Sequence, residues 1–134
     1  MFDKKLLVSI AAMFVLAMAA GFLVHGVILH GEYEKLRHLF RSEEASRKLF
    51  ALMLIAHVAW AAGFSWVYIR GREAKPWLGQ GFRYGLAICL IAVVPMYLIY
   101  YVIMPFPSDL VAQQVVYDSL CTIGMGIVLA WINR

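Results

Sequence analysis

The run from Leu110 to Trp131 is long enough to cross a bilayer, for which about 20 apolar residues suffice, yet it carries an acid near its middle, Asp118. Hydrocarbon offers the backbone no hydrogen-bond partners, so such a segment must be helical. Ionisable groups are costly in lipid and settle in bundle interiors or watery cavities, so the carboxylate must face other helices. Gln113, Gln114, Tyr117, Ser119, Cys121 and Thr122 flank it. The chain is therefore a bundle, and the question is which polar groups of the other helices meet Asp118.

Three further apolar runs, Leu6–Leu29, Leu49–Ile69 and Tyr84–Met104, are each about long enough to span. Of the 134 residues, 63% are hydrophobic and 15% charged. With a mean hydropathy of +0.77, this lies outside the range of soluble domains. The expected fold is all-α: an integral membrane four-helix bundle forming one domain over residues 1–134, with helices near 6–29, 43–70, 79–104 and 108–132. That leaves no room for a soluble domain.

The net charge of +4 is small and gathered at helix ends, which argues against nucleic acid and for membrane topology. The N-terminus, second loop and C-terminus share one side and carry Lys4, Lys5, Arg70, Arg72, Lys75, Arg83 and Arg134, against the acids Asp3 and Glu73. On the other side, Lys35, Arg37, Arg41, Arg47 and Lys48 are offset by Glu32, Glu34, Glu43, Glu44 and Asp109. Basic residues accumulate on cytoplasmic loops, so both termini are expected in the cytoplasm of a bacterial inner membrane. The start of the chain is similar to a secretory signal, with Ala17-Met18-Ala19 as the cleavage site, but its apolar run continues past Val24, longer than a signal core; helix one is expected to be retained.

Ala17, Gly21 and His25 fall at four-residue steps on one face of helix one, a small-residue stripe that allows close helix approach; Gly81 and Gly85 repeat the pattern in helix three. The first loop alternates Tyr33, Leu36, Leu39 and Phe40 with charged residues and predicts a short interfacial helix whose apolar face meets lipid or the bundle top. Ser42, followed by Glu43 and Glu44, predicts the N-cap of helix two. Trp66, Tyr68 and Arg70 are interfacial anchors, and Arg83 snorkels to the headgroups. Pro95 is expected to bend helix three, and Pro105-Phe106-Pro107 to turn the chain before Ser108 or Asp109 caps helix four. Cys89 and Cys121 lie mid-helix and read as packing residues.

Phe22–Leu29 aligns without a gap to Tyr97–Met104, and Tyr68-Ile69-Arg70 recurs weakly as Trp131-Ile132-Asn133. This is either two repeated helical hairpins or the chance likeness of apolar runs. The Leu-Val-His-Gly-Val around His25, the phrase Lys75–Gly85 and the Met104-Pro105-Phe106-Pro107 turn together resemble a group of small bacterial four-span membrane proteins of unknown function. The resemblance runs nearly end to end, implies the four-helix architecture and carries no assigned chemistry.

Counting inward at 1.5 Å per residue, His57 and Asp118 each lie about 12 Å below the outer interface, with His25 roughly 5 Å shallower and Tyr97 and Tyr100 on the facing stretch of helix three. A polar cluster of His25, His57, Asp118, Gln114, Tyr97 and Tyr100 follows, with a His57–Asp118 pair at its centre. The plain reading is helix packing through polar pairs of modest energy. The functional reading is a proton or ion site, since intramembrane ionisable groups tend to mark pathways. Two histidines on neighbouring helices raise haem ligation by His25 and His57, which the depth mismatch opposes. A metal site of His25, His57 and Asp118 has suitable ligand types but no close-spaced motif. No cofactor is expected.

An enzyme is disfavoured: the chain has no paired-cysteine motif, nucleophile elbow, phosphate loop beside a strand or pair of nearby carboxylates. The expected function is a non-enzymatic accessory or assembly subunit of a membrane complex, or a homo-oligomer, held in the lipid bilayer. The alternative is a small transporter or ion- and proton-binding protein.

Overall fold

The computed structural model describes residues 3–134, and among these every regular element is helical. Four helices are long and apolar enough to cross a membrane: α1 (Lys4–Ile28), α4 (Phe50–Gly71), α5 (Trp77–Ile103) and α6 (Ser108–Ile132). Two short helices, α2 (His30–Lys35) and α3 (Glu43–Lys48), lie in the first connection with a 3₁₀ turn (Arg37–Leu39) between them. The connection from α4 to α5 lies at the same end as both termini, here the termini end; α2, α3 and the α5–α6 turn form the loop end.

Local chemistry sets most boundaries. Asp3 caps α1 through the Lys5 amide at 2.9 Å, and Ser42 caps α3 through that of Ala45 at 3.3 Å. The helix expected over 43–70 is two helices, because the chain loosens at Leu49 between α3 and α4. Neither Ser108 nor Asp109 caps α6: Pro107 holds that position, where a residue with extended backbone suffices, and Asp109 sits in the first turn. Helix α5 is irregular just before Pro95: Cys89–Val93 forms a π-helical stretch that accommodates the donor the ring lacks. A second π stretch, Phe22–Ile28, ends α1, with no proline in it.

Helix α6 is the hub. In its most apolar window 28% of residues are buried, against 6% for α5. Its tightest contact is with the first half of α5, where Gly81 and Gly85 meet Gly126. A Cβ on Gly126 would stand 2.6 Å from the Gly81 carbonyl oxygen and 2.9 Å from the Gly85 nitrogen, so backbone lies on backbone. Helix α1 packs on α4 and also on α6, while α4 barely reaches α6.

The two ends differ in how firmly they are tied. At the termini end, Met13, Ala61, Phe64, Tyr68, Met125, Leu129 and Ala130 form the main apolar core. Hydrogen bonds pin it: Asn133 Nδ2 donates to Ser9 Oγ at 2.9 Å, the Tyr84 hydroxyl to the Phe64 carbonyl at 2.5 Å, and the Arg72 guanidinium to the Asn133 carbonyl. Toward the loop end the core shrinks to Val24, Leu29 and Leu110, and α5 leaves Ile91 at 73% and Val102 at 85% exposed. Side chains at that end have room to form a groove.

Candidate functional site

The polar cluster lies at the loop end and is assembled from α1, α2, α5 and α6. Gln114 and Asp118, one turn apart, share a face of α6. From α1, His25 presents Nε2 to Asp118 Oδ2 at 3.2 Å and Nδ1 to the Tyr33 hydroxyl at 2.7 Å. From α5, Tyr97 donates its hydroxyl hydrogen to the same Asp118 oxygen. From α2, Tyr33 accepts a hydrogen bond from Gln114 Nε2 at 2.9 Å. The loop end is closed over this group by aromatic contacts, Tyr33 edge-on to Phe40 at 5.8 Å and Phe40 stacked on Phe106 at 6.0 Å.

The donors around His25 assign its tautomer. Gln114 gives a hydrogen to the Tyr33 oxygen, which leaves the Tyr33 O–H to donate to His25 Nδ1; His25 Nε2–H then donates to Asp118. The chain Gln114–Tyr33–His25–Asp118 thus runs in one direction and ends on a carboxylate, with Tyr97 as a second donor. Burial pushes the Tyr33 phenol up, the hydrogen bond from Gln114 opposes that rise, and the charge of Asp118 adds to it, which keeps Tyr33 a hydroxyl donor. One atom is left over: Gln114 Oε1 is buried without a partner.

The carboxylate is not sealed. Asp118 keeps 22% and His25 34% of its side-chain exposure. A groove of about 430 Å³ between α5, α6 and the loop reaches Asp118 and is walled by Phe40, Met96, Tyr97, Tyr100, Met104 and Phe106. An acid in the wall of an aromatic and thioether groove can hold a positive charge while the other walls hold an apolar body, because aromatic faces and sulfur are both polarizable partners for cations.

The expected His57–Asp118 pair is replaced by His25–Asp118. His57 lies on α4, which packs against α1 rather than α6; its Nδ1 donates to the Met53 carbonyl of its own helix at 2.8 Å, and its Nε2 faces Gly21. Equal depth did not bring the two together because they point in different directions about their axes. Tyr97 and Gln114 are in the cluster; Tyr100 lines the groove and is 50% exposed. The metal set of His25, His57 and Asp118 does not assemble, and among the described residues no three His, Cys, Asp or Glu side chains converge on a metal position. For axial haem ligation, both His25 nitrogens are already hydrogen-bonded, which leaves only His57 Nε2 free.

Tyr33 was missed as a member of the cluster. Its loop pattern pointed only to lipid or the bundle top, and the sole hint was its place on the same apolar face as Leu36 and Phe40. The first connection folds back because Leu29 closes the π stretch through an i→i+5 bond to Val24 at 2.8 Å, and α2 follows at once. No protein-family model, no curated protein and no solved structure matches this chain.

Proposed function

We propose that this chain is a non-enzymatic multi-pass protein of a bacterial cytoplasmic membrane that binds a cation with an apolar body at Asp118. The observation that carries this reading is the groove whose walls are apolar and aromatic apart from one carboxylate, Asp118. His25 Nε2–H and the Tyr97 hydroxyl donate to that carboxylate and Tyr33 orients His25, so the negative charge is held in place to receive a cation.

A second reading is an accessory or assembly subunit of a membrane complex, or a homo-oligomer: Gly81 and Gly85 already lie against α6, but the apolar face of α5 with Ile91 and Val102 is open to lipid or to another helix.

The test is binding of tetraphenylphosphonium, an apolar cation, to the detergent-purified protein. Wild type should bind the probe, and Asp118→Asn should weaken binding at least tenfold. Equal binding by wild type and Asp118→Asn, or no binding by either, would overturn the reading.

For orientation, we infer cytoplasmic termini from the basic residues gathered at the termini end. In a background with Cys89 and Cys121 replaced by alanine, an Arg41→Cys reporter should react with an impermeant maleimide on intact cells and an Arg134→Cys reporter should not. The reverse pattern refutes this topology.

A further inference from the structure

A second cavity opens at the termini end, far from Asp118, between the last turn of α4, the connection to α5 and the first turns of α5. It measures about 510 Å³, and its walls include Tyr68, Arg72, Lys75, Gln80, Arg83 and Tyr84. We propose that it binds the phosphate group of an anionic lipid headgroup.

Charge is the first support. Arg72, Lys75 and Arg83 line the cavity, and the one acid among its walls, Glu73, is paired with Lys75. Two guanidiniums therefore remain uncompensated, and guanidinium is the side chain best shaped for the oxygens of a phosphate.

Rigidity is the second. Basic residues that merely snorkel to headgroups need no fixed loop, but this loop is braced. Gln80 on α5 accepts from the Glu73 amide at 2.8 Å and donates to the Glu73 and Lys75 carbonyls at 2.9 and 2.8 Å. At the other edge, Arg72 is oriented by its bond to the Asn133 carbonyl at the end of α6. Arg72 and the backbone of the loop are thus held in place before any ligand arrives, which lowers the cost of ordering them on binding.

The third support is a donor in the wall. Tyr68, 5% exposed, lines the cavity, where its hydroxyl can serve as a donor. Its neighbour Tyr84 differs: that hydroxyl is taken by the Phe64 carbonyl, so only the ring serves as wall. A phosphate oxygen in the cavity could accept from the Tyr68 hydroxyl. Val67 also lines the site, so the cavity begins where the apolar face of α4 begins, as a lipid phosphate requires. Basic pockets between helix ends suit such headgroups on the cytoplasmic side.

Native mass spectrometry of the detergent-purified full chain tests the proposal, with dioleoyl phosphatidylglycerol and dioleoyl phosphatidylcholine offered in equal amounts. The phosphatidylglycerol adduct should be retained at least tenfold more than phosphatidylcholine in the wild type, and the preference should vanish in Arg72→Gln/Arg83→Gln. Tyr68→Phe, which keeps the core packing, should lower retention several-fold at unchanged thermal stability. Asp118→Asn should leave it untouched, which separates this site from the cation groove. Displacement of the lipid by millimolar inorganic phosphate would assign the site to soluble phosphates; resistance to displacement assigns it to lipid. Equal retention of the two lipids, or undiminished phosphatidylglycerol binding by the double variant, overturns the proposal.

Discussion

Replacing Gly126 by valine should destabilise the protein by about 3 kcal/mol or more, the upper part of the range for overpacking, because the clash is with backbone and not with a side chain that can turn away. The first atom added, Cβ, would stand 2.6 Å from the Gly81 carbonyl oxygen and 3.0 Å from the Gly85 Cα. The facing glycines are equally filled: a Cβ on Gly85 would meet the Ile123 Cα at 2.6 Å, and one on Gly81 the Ala130 Cβ at 2.8 Å. Only separation of α5 from α6 relieves this, and separation opens the core where Met125, Leu129 and Ala130 pack. It also lets Tyr97 drift from Asp118, since both helices carry the site. Gly124→Val is the control, two residues away on the same helix with no foreign atom within 4 Å. Unfolding of the two variants in mixed detergent, followed by tryptophan fluorescence, should show a large loss for Gly126→Val and less than about 1 kcal/mol for Gly124→Val, the helix-propensity scale. Equal losses would mean that the close approach is not what holds α5 to α6.

The second large effect separates the two histidines. His25→Leu removes a partner from both Asp118 and Tyr33, leaving a mostly buried carboxylate with Tyr97 alone, and should cost about 2 kcal/mol on the scale for unmet buried polar groups. His57→Leu removes one bond to its own helix backbone at a partly exposed position and should change stability by no more than about 0.5 kcal/mol, as for other substitutions away from buried networks. A double-mutant cycle sharpens the contrast. His25→Leu with Asp118→Asn should couple by about 1 kcal/mol, as residues in one hydrogen-bond network do, and His57→Leu with Asp118→Asn should add independently. Coupling through His57 rather than His25 would restore the pairing expected from depth and refute the cluster described here.

The same contrast shows how far the chain could be read without its structure. Depth along a helix follows from counting, because each residue adds a fixed rise, and by that count His57 and Asp118 are level. Rotation about the axis does not follow when a helix is apolar nearly all round, as α4 and α6 are, since the usual stripe that tells inside from outside is missing. The π stretch at Phe22–Ile28 adds to the difficulty. Its i→i+5 bonding turns His25 away from where a 3.6-residue count would aim it, and no proline or glycine pair announces the change.

What the sequence determined by itself is local: four apolar helices of membrane-crossing length, the Ser42 cap, the irregularity next to Pro95 and the glycine pair Gly81 and Gly85 prepared for close approach. Each depends on the length, capping or steric bulk of a short segment, which neighbouring residues alone decide. Only the tertiary structure decided that α6 and not α4 faces His25, that Tyr33 folds back from the first connection to complete the chain to Asp118, and that Gln80 braces the basic loop. Those three are contacts between segments, and they are fixed by which helix faces which. In this chain backbone-to-backbone packing at Gly81, Gly85 and Gly126 decides that for α5 and α6, before any polar side chain finds its partner.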